Sequence, residues 1–142
     1  MLGSLSANPH LFVQDTGTPR GRGVFTHRPY RAGEVVEVCP VVTIPTPWED
    51  LPEAVKRVVY DWGHLVGQDA GQVHGLALGV GSLFNHAAAP NVSFRADVSR
   101  QALVFTAARD IAILEELTLN YNADIPTGQP DWFESLGITP IL

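Results

Sequence analysis

Apolar and polar residues alternate along several short stretches of this chain, and a period of two is typical of half-buried β-strands. β-Branched residues dominate the stretch 32–45, which Gly33 opens and Pro45 closes, so a strand with a bend at Pro40 is predicted there. A turn-rich segment ahead of it leads into another short strand at Val24–Phe25.

The alternation returns in the second half of the chain. Apolar side chains stand at every second position from Val92 to Val98, with polar residues between them. Residues 102–107 (ALVFTA) are predicted to form a hairpin with that strand, and residues 116–121 (ELTLNY) alternate once more. These stretches together indicate a protein built from many short strands.

One segment has a helical period instead. Its apolar residues fall at i, i+4, i+7, i+8 and i+11 and would share one face of a helix: Leu51, Val55, Val58, Val59 and Trp62. Asp50, with Glu53 three residues later, gives a capping start, so a helix over 51–62 is predicted. The predicted fold class is therefore mainly β with one helix (α+β).

Length and composition indicate one globular domain over 1–142. A chain of 142 residues can bury roughly two thirds of the surface that its unfolded form exposes. Its 45% hydrophobic and 17% charged residues are ordinary for a soluble protein, and no apolar run approaches the ~20 residues of a membrane span. The first residues lack the pattern of a signal peptide, so a soluble intracellular protein is expected.

Charge and cysteine content argue against several classes of function. Fifteen acidic against nine basic residues give a net charge of −6, which disfavours a nucleic-acid-binding surface and is compatible with a basic partner such as a lysine-rich peptide. The single cysteine, Cys39, allows no internal disulfide, and the five histidines show no metal-ligand spacing. No metal is therefore expected.

Three short segments occur in a fixed order along the chain: RGRGVF at 20–25, FNHAAAPN at 84–91 and EELTLNY at 115–121. They resemble the motifs of the SET domain, the family of protein lysine methyltransferases, over about residues 10–122. The resemblance implies a β-clip fold of short curled sheets. In that fold the second and third segments cross in a C-terminal pseudoknot.

The resemblance also implies a reaction. A methyl group would pass from S-adenosylmethionine to a lysine amine, leaving S-adenosylhomocysteine, and no metal is involved. Gly23 would let the backbone approach the donor, Asn85 would meet its amino-acid end, and the backbone of His86 would pair with its adenine. The residues that the resemblance places at the cofactor are Arg22, Gly23, Asn85, His86, Tyr121 and Trp132.

Trp132 belongs to a looser match in the C-terminal tail, residues 123–142. There PDWFESL at 130–136 is similar to the aromatic segment that closes the cofactor pocket in some members of the family. The indole would stack on adenine. A tail residue docked in an apolar groove is the alternative interpretation of this tryptophan.

Tyr121 is the residue expected to act in catalysis. A lysine ammonium, with a reference pKa of about 10.4, must lose a proton before it can attack, and desolvation in an apolar channel lowers that pKa. By the resemblance, Phe84 and Leu119 line the substrate channel. The hydroxyl of Tyr121 would orient the neutral amine rather than act as a strong base, because an unperturbed tyrosine titrates near ~10.

Several positions depart from the family pattern. Ala87 stands where Ser or Cys is common after the Asn-His pair, and Ile113 and Leu114 stand where a glycine usually precedes the paired glutamates. Two alternatives to an active enzyme therefore stay open. One is a catalytically inactive SET-like module that binds a peptide or the cofactor, and the other is a β-rich structural domain that reuses the fold.

The expected partner is a basic, lysine-bearing protein or peptide, such as a histone or a ribosomal protein. Direct binding to nucleic acid or to a membrane is not expected, and the pattern is compatible with a homodimer. In a prokaryote the protein would be cytoplasmic, and in a eukaryote a nuclear location would also fit.

Overall fold

The computed structural model describes residues 8–121, which form nine strands and two short helices. The strands are β1 Leu11–Asp15, β2 Arg22–Thr26, β3 Val35–Ile44, β4 Val59–Tyr60, β5 His74–Ala77, β6 Asn85–His86, β7 Val92–Asp97, β8 Ala102–Ala107 and β9 Glu116–Leu119. The helices are α1 Glu53–Lys56 and α2 Trp62–Leu65, and 3-10 turns occupy Trp48–Asp50 and Val98–Arg100. Neither helix is long and apolar enough to cross a membrane.

The strands of residues 8–121 form two sheets, with the orders β1-β2-β9-β6 and β4-β5-β3-β8-β7. Neighbouring strands run antiparallel except for β6 and β9, which run parallel. One apolar cluster joins the sheets, with Val24 and Leu117 from the first and Leu103 and Phe105 from the second all fully buried. A mostly β protein with little helix was predicted, and this fold class is confirmed.

Most of the predicted strands are present. The strand starting at Val92 pairs with residues 102–107 as an antiparallel hairpin, Val24–Phe25 lies inside β2, and the alternating segment after residue 115 contains β9. A proline lies within β3 at the position where the ladder changes partner. Pro40 pairs with Ala102 of β8, whereas Val41 already pairs with Ala77 of β5, so the missing proline N–H falls at this exchange of partners.

The predicted continuous helix over 51–62 is wrong. The segment is divided into α1, the two-residue strand β4 and α2. Val59 of β4 pairs with Leu76 of β5. An extended β-branched residue gains ladder hydrogen bonds and packing there that a helix would not provide. Three of the apolar positions still face inward, since Leu51, Val59 and Trp62 are all buried.

The predicted capping start is also wrong. Pro52 occupies the N-cap of α1 and makes no side-chain cap, while Asp50 belongs to the preceding 3-10 turn. A side-chain cap is found at α2 instead, where Asp61 accepts a hydrogen bond from the backbone N–H of His64.

Leu114 occupies the left-handed region of backbone space, with φ of 64°, and its side chain is 62% exposed. Its N–H donates to the carbonyl of Thr26 at 2.7 Å, which fixes the turn in this conformation. For a residue with a Cβ this conformation costs about 1–2 kcal/mol. The turn therefore keeps a shape that suits glycine even though leucine stands in it.

Leu114→Gly is expected to raise the free energy of unfolding by about 0.5–1 kcal/mol, because relief of the left-handed strain outweighs the extra entropy of glycine in the unfolded chain. The matched control is Ile113→Gly, a similarly exposed neighbour with φ outside the left-handed region, and this variant should be less stable than wild type. Urea unfolding of the three proteins measures both effects. If the Leu114→Gly protein were no more stable than the Ile113→Gly protein, this result would contradict the presence of backbone strain at Leu114.

Candidate active site

The second and third sequence motifs meet where β6 lies against β9. Asn85 pairs with Thr118 and His86 with Leu119 in a parallel register, and the N–H of Ala87 donates to the carbonyl of Leu119 at 2.8 Å. Ala87 is buried in this contact, which a small side chain permits. Because β9 also pairs with β2, β9 lies in the sheet between β2, which carries the first motif, and β6, which carries the second.

Asn91 ties the two segments together from inside the fold. Its side chain is 1% exposed, and its Oδ1 accepts from the N–H of Thr118 at 2.8 Å. Its Nδ2 donates to the carbonyl of Glu116 at 2.8 Å and to Oε2 of Glu115 at 2.9 Å. One amide therefore supplies partners to two backbone groups of β9.

Asn91→Ala is expected to lower the free energy of unfolding by about 2–4 kcal/mol, because it leaves a buried N–H and a buried carbonyl of β9 without these partners. Ser93→Ala, an exposed position on the next strand, is the control and should change stability by no more than about 0.5 kcal/mol. Urea unfolding gives both values. Equal stability of the two variants would show that Asn91 does not hold the crossing.

Glu116 and Asn85 form the centre of a polar cluster beside this crossing. Nδ2 of Asn85 donates to Oε2 of Glu116 at 2.7 Å and to the carbonyl of Arg22 at 3.1 Å. The other carboxylate oxygen, Oε1, accepts from Nη2 of Arg20 at 3.3 Å. Nε of Arg20 is buried and has no hydrogen-bond partner within residues 8–121.

Gly23 makes room for this cluster. It lies in β2 with φ outside the left-handed region, so its backbone conformation alone does not require glycine. A Cβ built on Gly23 would overlap Oε2 of Glu116 and would stand 2.9 Å from Nδ2 of Asn85. The glycine of the first motif therefore lets side chains from the second and third motifs touch.

Tyr121 is anchored on the second motif at two points. Its hydroxyl donates to the carbonyl of Phe84 at 2.7 Å, and its N–H donates to Nδ1 of His86 at 2.9 Å. Burial, with a smaller contribution from the negative charge of Glu116, raises the pKa of Tyr121 to about 12. The hydroxyl is therefore protonated throughout the neutral pH range.

A model of the SET domain family matches residues 21–122, which is most of the chain. The chain belongs to the SET domain family. A curated relative, the H3 lysine-37 specific histone-lysine N-methyltransferase of Schizosaccharomyces pombe, is 33% identical over 124 residues, covering 87% of this chain and 77% of the relative. Family and relative together show a protein-lysine methyltransferase, and they give no support to the inactive alternative.

Solved structures show the same SET fold. A crystal structure of a candidate histone methyltransferase from Plasmodium falciparum superposes with a TM-score of 0.64 at 22% identity, covering 89% of this chain and 98% of that one. The Cryptosporidium protein CpSET8 gives 0.60 at 19% identity, over 82% and 59%. A humanized mutant of the Chaetomium thermophilum Polycomb Repressive Complex 2, bound to an inhibitor, also gives 0.60 at 19% identity, over 82% and 15%.

The remaining predicted cofactor residues of the SET domain have different surroundings. Arg22 has an exposed side chain, and its carbonyl, not its guanidinium, meets Asn85. The ring of His86 is buried and accepts a hydrogen bond from the Tyr121 N–H, so the ring has a structural role. The strand that contains His86, β6, is an edge strand of its sheet. Trp132 lies outside the described residues. The cofactor roles of Arg22, His86 and Trp132 stay predictions, as do those of Gly23, Asn85 and Tyr121.

Phe84 and Leu119, which were predicted to line the substrate channel of the SET domain, are 3% and 1% exposed and belong to the apolar core. The ring of Phe84 lies 4.9 Å from that of Phe105, measured between centroids. Tyr121 packs against the same core. The two residues thus form an apolar floor next to Tyr121, and their contact with a substrate remains a prediction.

The paired glutamates of the SET motif received no role from the sequence alone. In the structure the two carboxylates have different partners. Glu115 binds Asn91 and the N–H of Ala112, whereas Glu116 binds Asn85 and Arg20. The signal in the sequence was the pair itself at the head of an alternating strand. Within residues 8–121, no cluster of His, Cys, Asp and Glu could hold a metal ion.

Proposed function

We propose that this protein uses S-adenosylmethionine to methylate a lysine of a basic protein, with donor and amine meeting between Asn85 and Tyr121. The observation that carries the proposal is that the β6–β9 crossing brings both residues together, with Tyr121 hydrogen-bonded to the segment that contains Asn85. Such rigid placement is what an in-line displacement requires. When bound, the donor supplies a methyl group on a positively charged sulfonium.

The residues present fit the amino-acid end of that donor. The NH₂ group of Asn85 donates to two acceptors of the protein, and its Oδ1 makes no hydrogen bond within residues 8–121. An amide oxygen of this kind is an acceptor, which suits an ammonium group. The Glu116 carboxylate that holds the NH₂ group is itself paired with Arg20, so the acceptor offered to a ligand is the neutral amide oxygen.

Tyr121 would hold the neutral lysine amine in line. Its hydroxyl hydrogen is committed to the carbonyl of Phe84, so the oxygen would meet an incoming amine as an acceptor. Accepting an N–H from the amine leaves the nitrogen lone pair directed elsewhere, toward the methyl group. The raised pKa of Tyr121 argues that it orients the amine and does not remove its proton.

The substrate class follows from charge and from kinship. A net charge of −6 attracts lysine-rich partners at long range, and the Schizosaccharomyces pombe relative is a histone-lysine methyltransferase. We therefore propose a histone or histone-like protein as the substrate. A homodimer and a nuclear or cytoplasmic location are compatible with this proposal.

The test is transfer of labelled methyl from S-adenosylmethionine to purified core histones and to a set of other basic proteins, with the modified residue located by mass spectrometry. Label on lysine supports the proposal, and label confined to histones supports the narrower substrate class. Calorimetry with unlabelled S-adenosylmethionine accompanies the assay. Failure to bind the donor would overturn the proposal, whereas donor binding with label only on non-histone proteins would overturn the histone assignment alone.

A further inference from the structure

Glu116 contacts the NH₂ end of the Asn85 amide and not its oxygen. Its side chain is 14% exposed, and both of its oxygens are occupied by protein groups, Oε2 by the Asn85 amide and Oε1 by Arg20. Each carboxylate oxygen therefore has a donor from the protein, and the contact at 2.7 Å is the one through which Glu116 can act on the Asn85 amide.

The contacts of Asn85 fix which end of its amide faces outward. An asparagine amide can rotate by half a turn and exchange its oxygen for its NH₂ group, and the two orientations differ only in their hydrogen bonds. Here the inner position faces two oxygens, one from the Glu116 carboxylate and one from the Arg22 carbonyl, at 2.7 and 3.1 Å. Only NH₂ can satisfy both, because an oxygen there would meet two other oxygens.

We infer that Glu116 is a positioning residue that locks the Asn85 amide with Oδ1 outward, so that the site selects a donor carrying an α-ammonium group. This inference deepens the proposed function and rests on it. Without the carboxylate only the Arg22 carbonyl, at the longer distance of 3.1 Å, would oppose rotation of the amide, and a rotated amide would set its NH₂ group against the ammonium. Gly23 is needed for the same contact, because a Cβ there would push the Glu116 carboxylate and the Asn85 amide apart.

The Glu116→Gln substitution tests whether the carboxylate fixes the orientation of the Asn85 amide, because glutamine has nearly the same shape as glutamate. A glutamine can offer either an oxygen or an NH₂ group to Asn85, so in the variant only the Arg22 carbonyl would still favour the present orientation of the amide. The control is Glu115→Gln, the same substitution one residue earlier, where the carboxylate binds Asn91, Ala112 and Arg109 and makes no hydrogen bond to Asn85. Two ligands are titrated into each protein by calorimetry: S-adenosylhomocysteine and its analogue without the α-amino group.

For S-adenosylhomocysteine we expect Glu116→Gln to raise Kd by about 3- to 10-fold, because a ligand must either select the molecules that still present Oδ1 or bind without that hydrogen bond to a charged group. For the analogue without the amino group, Kd should stay within about 2-fold of wild type. Glu115→Gln should keep the wild-type ratio of the two Kd values. In methyl transfer, Glu116→Gln should raise KM for the donor more than it lowers kcat.

Equal weakening of both ligands by Glu116→Gln would overturn the inference, because it would mean general damage to the site. Unchanged binding of both ligands would overturn it as well. If wild type itself failed to bind S-adenosylhomocysteine, the proposed function and this inference would fall together. In the first two outcomes wild-type binding is intact, so the proposed function stands while the role of Glu116 does not.

Discussion

Tyr121→Phe should lower kcat for lysine methylation by about 100-fold or more, with little change in donor affinity. The variant keeps the ring packed against the apolar core but removes the oxygen that would hold the amine, and a loosely held nucleophile samples the in-line geometry rarely. Its hydrogen bond to the carbonyl of Phe84 is lost at the same time. Kinetics with labelled donor measure kcat, and calorimetry measures donor binding.

Tyr60→Phe is the matched control for this prediction. The Tyr60 hydroxyl also donates to a backbone carbonyl of the segment before β6, that of Gly81 at 2.6 Å. If both variants lost activity equally, the loss would reflect support of that segment and not contact with the amine. A Tyr121→Phe enzyme with wild-type kcat would remove Tyr121 from the mechanism altogether.

The pH dependence of the reaction separates orientation from base catalysis. Because the pKa of Tyr121 is raised to about 12, its hydroxyl stays neutral between about pH 7 and pH 10. A rise in rate over that range is therefore not a titration of Tyr121, and we expect it to follow deprotonation of the lysine. The residual activity of Tyr121→Phe should show the same rise, and a flat profile in the variant would indicate that the tyrosine removes the proton.

Gly23→Ala should weaken donor binding by about 10-fold or more and destabilise the protein by about 1–3 kcal/mol. The added methyl would overlap Glu116 and crowd the amide of Asn85, and neither side chain can retreat without breaking the hydrogen bond between them. Calorimetry with S-adenosylhomocysteine gives the affinity. Urea unfolding gives the stability.

Gly17→Ala is the control for this substitution. Gly17 lies in the turn between β1 and β2 with φ of 72°, and a Cβ added there would meet no atom within 4 Å beyond its chain neighbours. Alanine at this position therefore adds backbone strain but no collision. It should cost about 1 kcal/mol of stability and leave donor affinity intact. Loss of affinity in both variants would trace the effect to stability, and not to the cluster around Glu116.

Elements with a local signal could be predicted from the sequence. Alternation located β7 and β9, β8 was predicted as the hairpin partner of β7, and the ordered motifs indicated which distant segments would meet. The helix over 51–62 failed because Val59 has a partner, Leu76, that periodicity cannot see. For the same reason the bonds from Asn85 to Glu116 and from Asn91 to Thr118 could not be predicted, since each joins residues about thirty positions apart.

The position of β9 also sets the order in which the protein can fold. β2 and β6 have no direct ladder between them in the four-stranded sheet, and β6 depends on β9 for its pairing, as in the contact of Asn85 with Thr118. Such pairing has a high contact order, which slows folding. On the ribosome, the five-stranded sheet can close before residue 116 has emerged, whereas the cluster of Asn85, Glu116 and Tyr121 cannot. In a newly made chain the site proposed for methylation therefore forms later than the five-stranded sheet.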